Sequence, residues 1–381
     1  MAYESVDQLQ KVLASEVFHY AKDAKKAAGR ALGTLVEIIT FHLLKAWGFE
    51  RSIAIERSLA EYGNPEITHN VEYSLHPILR KETLALRPPR LPATSTRILF
   101  ELKARDFSLA DFQRLDNRLL TIDGILRNAC TIARGNESQL VATLEAKGPD
   151  ELQIGIAEQY AKPYAMFECK RVGIEEGAKK GPQTIEKAKQ GAYVAKTVSS
   201  LYKIRLASGE LLGLIYKSDQ SLYAKPYSEL IYEIVASDDP ELLRDFILTI
   251  GVVSNHGNWF TSDNHNKELK VLAQSYDWLL FLSDEGLAEF ITEMLLTPAP
   301  LLNPARSAFL MSYTVESKGN QFTKVRMKYE ADQVLQNYFT ENLSRIEGWF
   351  NVIAPKNSSI SKLKGQVSEL RAKNWHAIHS L

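Results

Sequence analysis

The segment that decides the fold is GPDELQIGIAEQYAKPYAMFECKR, residues 148–171. It contains two runs with the composition of strands, Leu152–Ala157 and Tyr164–Lys170. The short segment Gln159–Pro163 between them has the character of a turn. The pattern therefore predicts a β-hairpin.

Three charged residues occupy special positions in this hairpin. Asp150 stands at the start of the first run, and Glu168 and Lys170 lie two apart near the end of the second. Because strand side chains alternate, Glu168 and Lys170 are expected on one face, with Phe167 and Cys169 on the other. The apolar face would then enter the core while the charged pair faces a cleft.

An acid, an acid and a lysine form a coherent set for phosphodiester hydrolysis. Two carboxylates on neighbouring strands can hold one or two Mg²⁺ ions, which activate a water and neutralise developing charge. A lysine beside the metal can orient that water or stabilise the transition state. We therefore expect Mg²⁺ as the metal, with Asp150 and Glu168 as its ligands and Lys170 as a catalytic residue.

The order Pro149-Asp150, seventeen residues, then Glu168-Cys169-Lys170 resembles the motif of the PD-(D/E)XK nuclease superfamily. The resemblance implies an α/β fold with a mixed central sheet flanked by helices. It assigns metal binding to Asp150 and Glu168, and catalysis to Lys170. It also implies Mg²⁺-dependent cleavage of double-stranded DNA that leaves a 5′-phosphate, as in type II restriction endonucleases.

An early helix adds a fourth candidate catalytic residue. The apolar pattern over Ala31–Ala46 predicts a helix that Gly48 closes, and Glu37 lies among its apolar residues. Many members of the superfamily carry a glutamate on such a helix, which implies a role for Glu37 near the metal. The alternative is that Glu37 reaches solvent or pairs with an arginine.

Basic and amide side chains near the motif are the candidates for DNA contact. Between Ala161 and Arg205, ten lysines and arginines face four glutamates. A helix is expected after this motif, and a polar loop at Asn255–Asn266 could read adenine edges. The candidate DNA-contacting residues are Arg171, Gln183, Lys187, Gln190, Asn255 and Asn258. The alternative in each case is an ordinary solvated helix face or a capped loop.

A second acid-lysine pair competes with the first. Glu101 and Lys103 follow an apolar run, Ile98–Leu102, that is expected to form a buried strand. No Pro-Asp pair precedes it at a suitable spacing. The simpler interpretation is a strand that ends in solvent-exposed charges.

Length and composition suit a soluble protein of more than one domain. The chain has 381 residues, 46 basic and 46 acidic, and two cysteines that form no CxxC pair. We expect a nuclease core at residues 1–237 and a mainly helical region at 238–381 for DNA recognition or dimerisation. No phosphate-binding glycine loop is present, so no nucleotide cofactor is expected. A cytoplasmic location without membrane association is the corresponding expectation.

The function expected from these patterns is site-specific cleavage of double-stranded DNA in the restriction of foreign DNA. Cutting both strands calls for two active sites, so a homodimer is expected. Three alternatives stay open. The chain could be a repair, recombination or mobile-element nuclease of the same fold, a catalytically inactive DNA-binding protein, or a metabolic enzyme in which the motif is accidental.

Overall fold

A computed structural model describes residues 6–19, 23–105, 107–172, 191–255, 267–313 and 320–379. The chain forms two compact units, each made of separate stretches. Unit 1 comprises Met1–Ile55, Ile78–Lys162 and Asp284–Trp349, and unit 2 comprises Glu56–Pro77, Pro163–Ser283 and Phe350–Leu381. The predicted border at residue 237 is wrong, because it falls inside a continuous stretch of unit 2.

The described residues contain eighteen strands and a set of mostly short helices. The strands are β1 (Ile53–Glu61), β2 (Asn64–Leu75), β3 (Ile78–Leu86), β4 (Ala93–Thr94), β5 (Gln113–Arg114), β6 (Arg118–Leu120), β7 (Ile125–Arg127), β8 (Cys130–Arg134), β9 (Ser138–Lys147), β10 (Leu152–Tyr160), β11 (Ala165–Val172), β12 (Tyr202–Arg205), β13 (Leu211–Tyr216), β14 (Leu222–Pro226), β15 (Leu248–Asn255), β16 (Trp278–Leu282), β17 (Arg326–Lys328) and β18 (Phe350–Ala354). The helices are α1 (Val6–Val12), α2 (Ala24–Ala46), α3 (Ser95–Lys103), α4 (191–197), α5 (Tyr227–Ala236), α6 (Pro240–Leu243), α7 (Lys267–Ser275), α8 (Asp284–Ile291), α9 (Asn303–Tyr313), α10 (Tyr329–Glu341), α11 (Leu343–Glu347), α12 (Ile360–Ala372) and α13 (Trp375–His379).

Unit 2 is built on a six-stranded mixed sheet of order β1-β2-β11-β15-β16-β18. β11 runs antiparallel to β2 and parallel to β15, which in turn runs parallel to β16. Parallel neighbours need long crossovers, and the crossovers here contain α4 and α7. The mixed α/β architecture predicted from the sequence is thus present, with the parallel strands at the centre of the sheet.

The residues at the centre of this sheet are buried on both faces. β16 reads WLLFL and every residue in it is buried, as expected for an inner strand of a parallel segment. Ala192 and Ala195 of α4 and Leu269 and Leu272 of α7 belong to the same apolar cluster as Met166 of β11. The helices therefore cover the sheet beside the strand that carries the Glu168–Lys170 pair.

Among its described residues the C-terminal third of the chain is mainly helical, as predicted, but it also contains strands that the sequence did not reveal. Residues 238–381 supply three of the six strands in the sheet of unit 2, namely β15, β16 and β18. Their apolar runs are only five to eight residues long. Periodicity alone cannot distinguish runs of this length from buried helix.

The predicted hairpin between the two runs of the opening segment is wrong. Both runs form strands, β10 and β11, but they belong to different sheets. β10 pairs with β9 and β3 in the five-stranded sheet of unit 1, while β11 pairs with β2 and β15 in unit 2. The segment at Ala161–Pro163 is therefore a passage between units rather than a hairpin turn.

Unit 1 contains that five-stranded antiparallel sheet, of order β3-β10-β9-β8-β5. α3 belongs to the same apolar cluster, through Ile98, Leu99 and Leu102. The strand predicted at Ile98–Leu102 is wrong, because the buried positions follow helical spacing and Phe100 is 71% exposed. The Thr94 hydroxyl accepts a hydrogen bond from the Arg97 amide at 3.3 Å and so caps this helix.

The helix predicted at Ala31–Ala46 is confirmed and begins earlier, at Ala24. The Asp23 carboxylate accepts from the Lys26 amide at 2.9 Å and caps its start. Among the described residues α2 is the helix long and apolar enough to cross a membrane, yet 72% of its most apolar window is buried within the protein. Core helices of soluble proteins show the same pattern.

Candidate active site

The strand predicted around Glu168 and Lys170 is confirmed as β11, an inner strand of the unit 2 sheet. Its flanking apolar residues are buried as predicted, with Phe167 1% and Cys169 5% exposed. Glu168 itself is only 2% exposed. A carboxylate this deeply buried needs a compensating charge or hydrogen bonds, because an isolated buried charge is costly.

Glu168 has both kinds of compensation. Its Oε1 lies 2.6 Å from Nζ of Lys170, and its Oε2 accepts a hydrogen bond from the backbone N–H of Glu72 at 3.2 Å. The side chain of Lys170 is 29% exposed. The pair thus joins a carboxylate held in the protein interior to an ammonium group that water can reach.

Glu72 brings a second carboxylate to this place. It lies on β2, next to Tyr73, which is the register partner of Phe167 on β11. Continuing that antiparallel register by one residue sets Glu72 opposite Glu168, and directly opposite residues share a face of the sheet. Glu72 also acts electrostatically on Lys170. Two acids and a lysine therefore meet on neighbouring strands of unit 2.

The charge state of Lys170 follows from these neighbours. Burial alone would lower its pKa, but the attraction of Glu168, its hydrogen bond to Glu168, and the further carboxylate of Glu72 outweigh burial. The pKa of Lys170 is raised above its usual value as a result. Lys170 is therefore an ammonium cation at neutral pH, suited to stabilise negative charge rather than to remove a proton.

Two glycines and a tyrosine shape the space around Glu168. Gly251 of β15 is the register partner of Glu168, and a Cβ there would lie 2.8 Å from the ring of Tyr276. A Cβ on Gly191, in α4, would lie 2.5 Å from both Cγ of Glu168 and the hydroxyl of Tyr276. Burial, and then Glu168, raise the pKa of Tyr276, so its hydroxyl stays protonated. The glycines thus allow a tyrosine and a helix to approach the buried carboxylate closely.

Gly191→Ala tests whether this close approach matters. The added methyl group would overlap Glu168 or Tyr276, so one of them must move away from its position in the site. We expect Gly191→Ala to lower any activity of the site at least tenfold when assayed well below its unfolding temperature, which the buried overlap should also lower. Gly365→Ala in α12 is the matched control, since a Cβ there meets nothing within 4 Å. Equal activity of the two variants would contradict a role for this contact.

The donor set of the site fits Mg²⁺. Glu72 and Glu168 offer two carboxylates, and Mg²⁺ is commonly held by one or two carboxylates together with water and substrate phosphate. Among the described residues no group of three or more His, Cys, Asp or Glu side chains is arranged to hold a metal. Two carboxylates on neighbouring strands could hold a hard cation such as Mg²⁺ while part of its coordination shell stays open to substrate.

Contrary to the prediction, Asp150 does not precede a strand that pairs with β11. Asp150 is exposed and lies in the turn between β9 and β10, in unit 1. The prediction depended on β10 being the strand next to β11, and that pairing does not exist. The second acid on a strand adjacent to Glu168 is Glu72 instead.

Glu37 also has a different environment from the one predicted. It lies on α2 in unit 1, where its Oε2 is 3.4 Å from Nζ of Lys324. Lys324 is buried, with 6% of its surface exposed. The glutamate therefore compensates the charge of a buried lysine within unit 1. This agrees with the alternative that Glu37 forms an ion pair, except that its partner is a lysine and not an arginine.

The competing pair, Glu101 and Lys103, lies on α3 rather than on a strand. Residues two apart on a helix do not share a face. The geometry that an acid-x-lysine pair has on a strand is therefore missing, and the interpretation as surface charges is the better one.

The predicted DNA-contacting residues lie largely outside the described residues. This holds for Gln183, Lys187, Gln190 and Asn258. Arg171 and Asn255 belong to β11 and β15, where their backbones pair with Ser254 and Val172, and their side chains are not described. Their contact with DNA stays a prediction.

Sequence reasoning missed Glu72 and Tyr276. The signal for Glu72 was present, since Val71–Leu75 has the composition of a strand and Glu72 is its one charged residue. A carboxylate in the middle of a half-buried strand calls for an explanation. Tyr276 offered no such signal, because its position depends on the close approach that Gly191 and Gly251 permit.

Comparison with known proteins gives no match: no family model fits the sequence, and no curated protein or solved structure is significantly similar to it.

Proposed function

We propose that the protein is a Mg²⁺-dependent endonuclease that hydrolyses double-stranded DNA, with Glu72, Glu168 and Lys170 as its catalytic residues. The observation that supports this most is the ion pair between Glu168 and Lys170 on an inner strand, with Glu72 on the next strand. Two acids and a lysine on adjacent strands can supply the metal binding and the charge stabilisation that promote phosphodiester hydrolysis.

Each of the three residues has a defined task in this proposal. Glu72 and Glu168 would hold Mg²⁺, which when bound supplies Lewis-acid neutralisation of charge on the scissile phosphate. Lys170, an ammonium ion, would donate a hydrogen bond to a phosphoryl oxygen as negative charge develops there. Water adds to phosphorus and the 3′-oxygen leaves, so the products carry a 5′-phosphate and a 3′-hydroxyl.

We further propose that the activity is of the restriction type, within a PD-(D/E)XK-like core. The mixed sheet with helices on it agrees with what the sequence motif implies. The assignment departs from the motif at one place, since the first acid is Glu72, preceded by Val71 rather than proline. Cleavage of both strands by a homodimer belongs to the same proposal.

Incubation with phage DNA tests the proposal directly. The purified chain is expected to cut in Mg²⁺ and not in EDTA, and sequencing of the ends should give one short sequence with 5′-phosphates. A parallel preparation of Lys170→Ala excludes a contaminating nuclease. Cleavage at random positions would argue for a repair or recombination nuclease, and no cleavage of any DNA would contradict the nuclease assignment.

A further inference from the structure

A polar cleft of about 390 Å³ opens on unit 1, separate from the catalytic residues of unit 2. It lies on the small sheet of order β17-β7-β6-β4. Three arginines line it, one from each of the strands β6, β7 and β17: Arg118, Arg127 and Arg326. Hydrogen-bonding side chains of Asn117, Thr121 and Gln321 line it as well. Nothing in the proposed chemistry uses these residues.

The register of the sheet places two of the arginines directly opposite each other. Arg326 of β17 is the direct partner of Arg127 on β7 in an antiparallel pair. Like charges directly opposite each other destabilise such a pair. The neighbouring partners Met327 and Leu126 are buried, so this register is fixed by the core beneath it. The register therefore places Arg127 and Arg326 on neighbouring positions that both line the cleft.

The described part of the protein gives these arginines no acidic partner within ion-pair distance. None of the three arginines forms an ion pair with a described residue. Asp116 and Asp123 also line the cleft, yet neither carboxylate pairs with an arginine there. Arg118 and Arg326 are exposed and Arg127 is half-buried, so all three can be reached from solvent. An anion supplied from outside would relieve the repulsion.

We propose that this cleft binds a phosphate group, with Arg127 and Arg326 as its main ligands and Arg118 as a third. Guanidinium groups match the geometry of phosphate and bind it through paired hydrogen bonds. If the proposed function is correct, the phosphate belongs to the DNA backbone. A free nucleotide carries the same group, and the experiment distinguishes the two.

Binding is measured by fluorescence anisotropy with a labelled double-stranded DNA in EDTA, so that no cleavage occurs. The double variant Arg127→Ala/Arg326→Ala is expected to bind at least tenfold more weakly. The slope of the logarithm of its affinity against the logarithm of the salt concentration should become shallower by the amount expected for about one phosphate contact. Arg114→Ala, an exposed arginine on β5 outside the cleft, should bind like the parent. The double variant should unfold at no lower temperature than the parent, because the substitutions remove a repulsion.

Thermal shifts with inorganic phosphate, pyrophosphate and ATP form the second arm. Loss of DNA binding alone identifies the ligand as DNA, while a shift by ATP that the double variant loses identifies a nucleotide. Unchanged affinity for all these probes overturns the cleft as a phosphate site. The catalytic proposal is tested separately, because Lys170→Ala is expected to keep its DNA affinity and lose only cleavage.

Discussion

Alanine at Glu72, Glu168 or Lys170 is expected to lower Mg²⁺-dependent DNA cleavage by a factor on the order of 10² or more, the loss typical when one group that stabilises a transition-state charge is removed. Asp150→Ala is expected to cut like the parent, since Asp150 lies in an exposed turn of unit 1. The measurement is the initial rate of nicking and linearisation of a supercoiled plasmid at saturating enzyme.

The contrast between Glu72 and Asp150 makes this test decisive. Both are acids upstream of Glu168, and only the pairing of β2 with β11 favours Glu72. Glu101→Ala on α3 is a second control that should cut normally. Full activity of Glu72→Ala together with loss of activity in Asp150→Ala would restore the assignment from sequence order and contradict the site described above.

Glu168→Ala needs one further control, because the carboxylate offsets the charge of Lys170. Removing it leaves a partly buried ammonium without its closest partner, which can destabilise unit 2 as well as the chemistry. Glu168→Gln keeps the shape and the hydrogen bond from the Glu72 amide. Its single carbonyl oxygen cannot also accept from Lys170, so we expect it to lose less stability than Glu168→Ala and still to be inactive. That outcome assigns the loss of cleavage activity to the missing carboxylate charge rather than to misfolding.

The Glu168–Lys170 pair could be predicted from the sequence, whereas Glu72, the second acid of the site, could not be identified from the sequence alone. The pair depends only on strand alternation within seven residues, which is a local property. Its partner depends on which strand pairs with β11, and Glu72 lies 96 residues away from Glu168 along the chain. Residues 78–162 of unit 1 are inserted between the two strands. Local sequence patterns carry no information on such an insertion. They therefore indicate the strand nearest along the chain, β10, as the pairing partner of β11.

The run ILFEL shows a second limit of local patterns. Five apolar-rich residues fit a buried strand and a short helix equally well. The feature that distinguishes them lies before the run, where Thr94 caps the helix and leaves Ile98, Leu99 and Leu102 on one face. The Thr94 cap indicates a helix, and on a helix Glu101 and Lys103 do not share a face.

Asp277→Ala is expected to destabilise unit 2 by about 3–5 kcal/mol, the cost of breaking a buried ion pair from one side. Asp277 is 3% exposed, and its Oδ2 accepts from the amide and hydroxyl of Thr249 at 2.7 and 2.8 Å. Its Oδ1 accepts from the hydroxyl of Tyr227 and lies 3.0 Å from Nζ of Lys203. The measurement is the free energy of unfolding in urea.

The charge left behind explains the size of this effect. Burial already lowers the pKa of Lys203 despite the attraction of Asp277, so in the variant the buried lysine would lose its carboxylate and keep only the Ser275 carbonyl and the Tyr227 ring. Asp238→Ala is the matched control, because its carboxylate pairs with Lys373 at 3.4 Å but is 87% exposed. Exposed pairs contribute about 1 kcal/mol or less. If the two variants lose equal stability, the buried network around Asp277 contributes no more than an exposed ion pair, which contradicts the prediction.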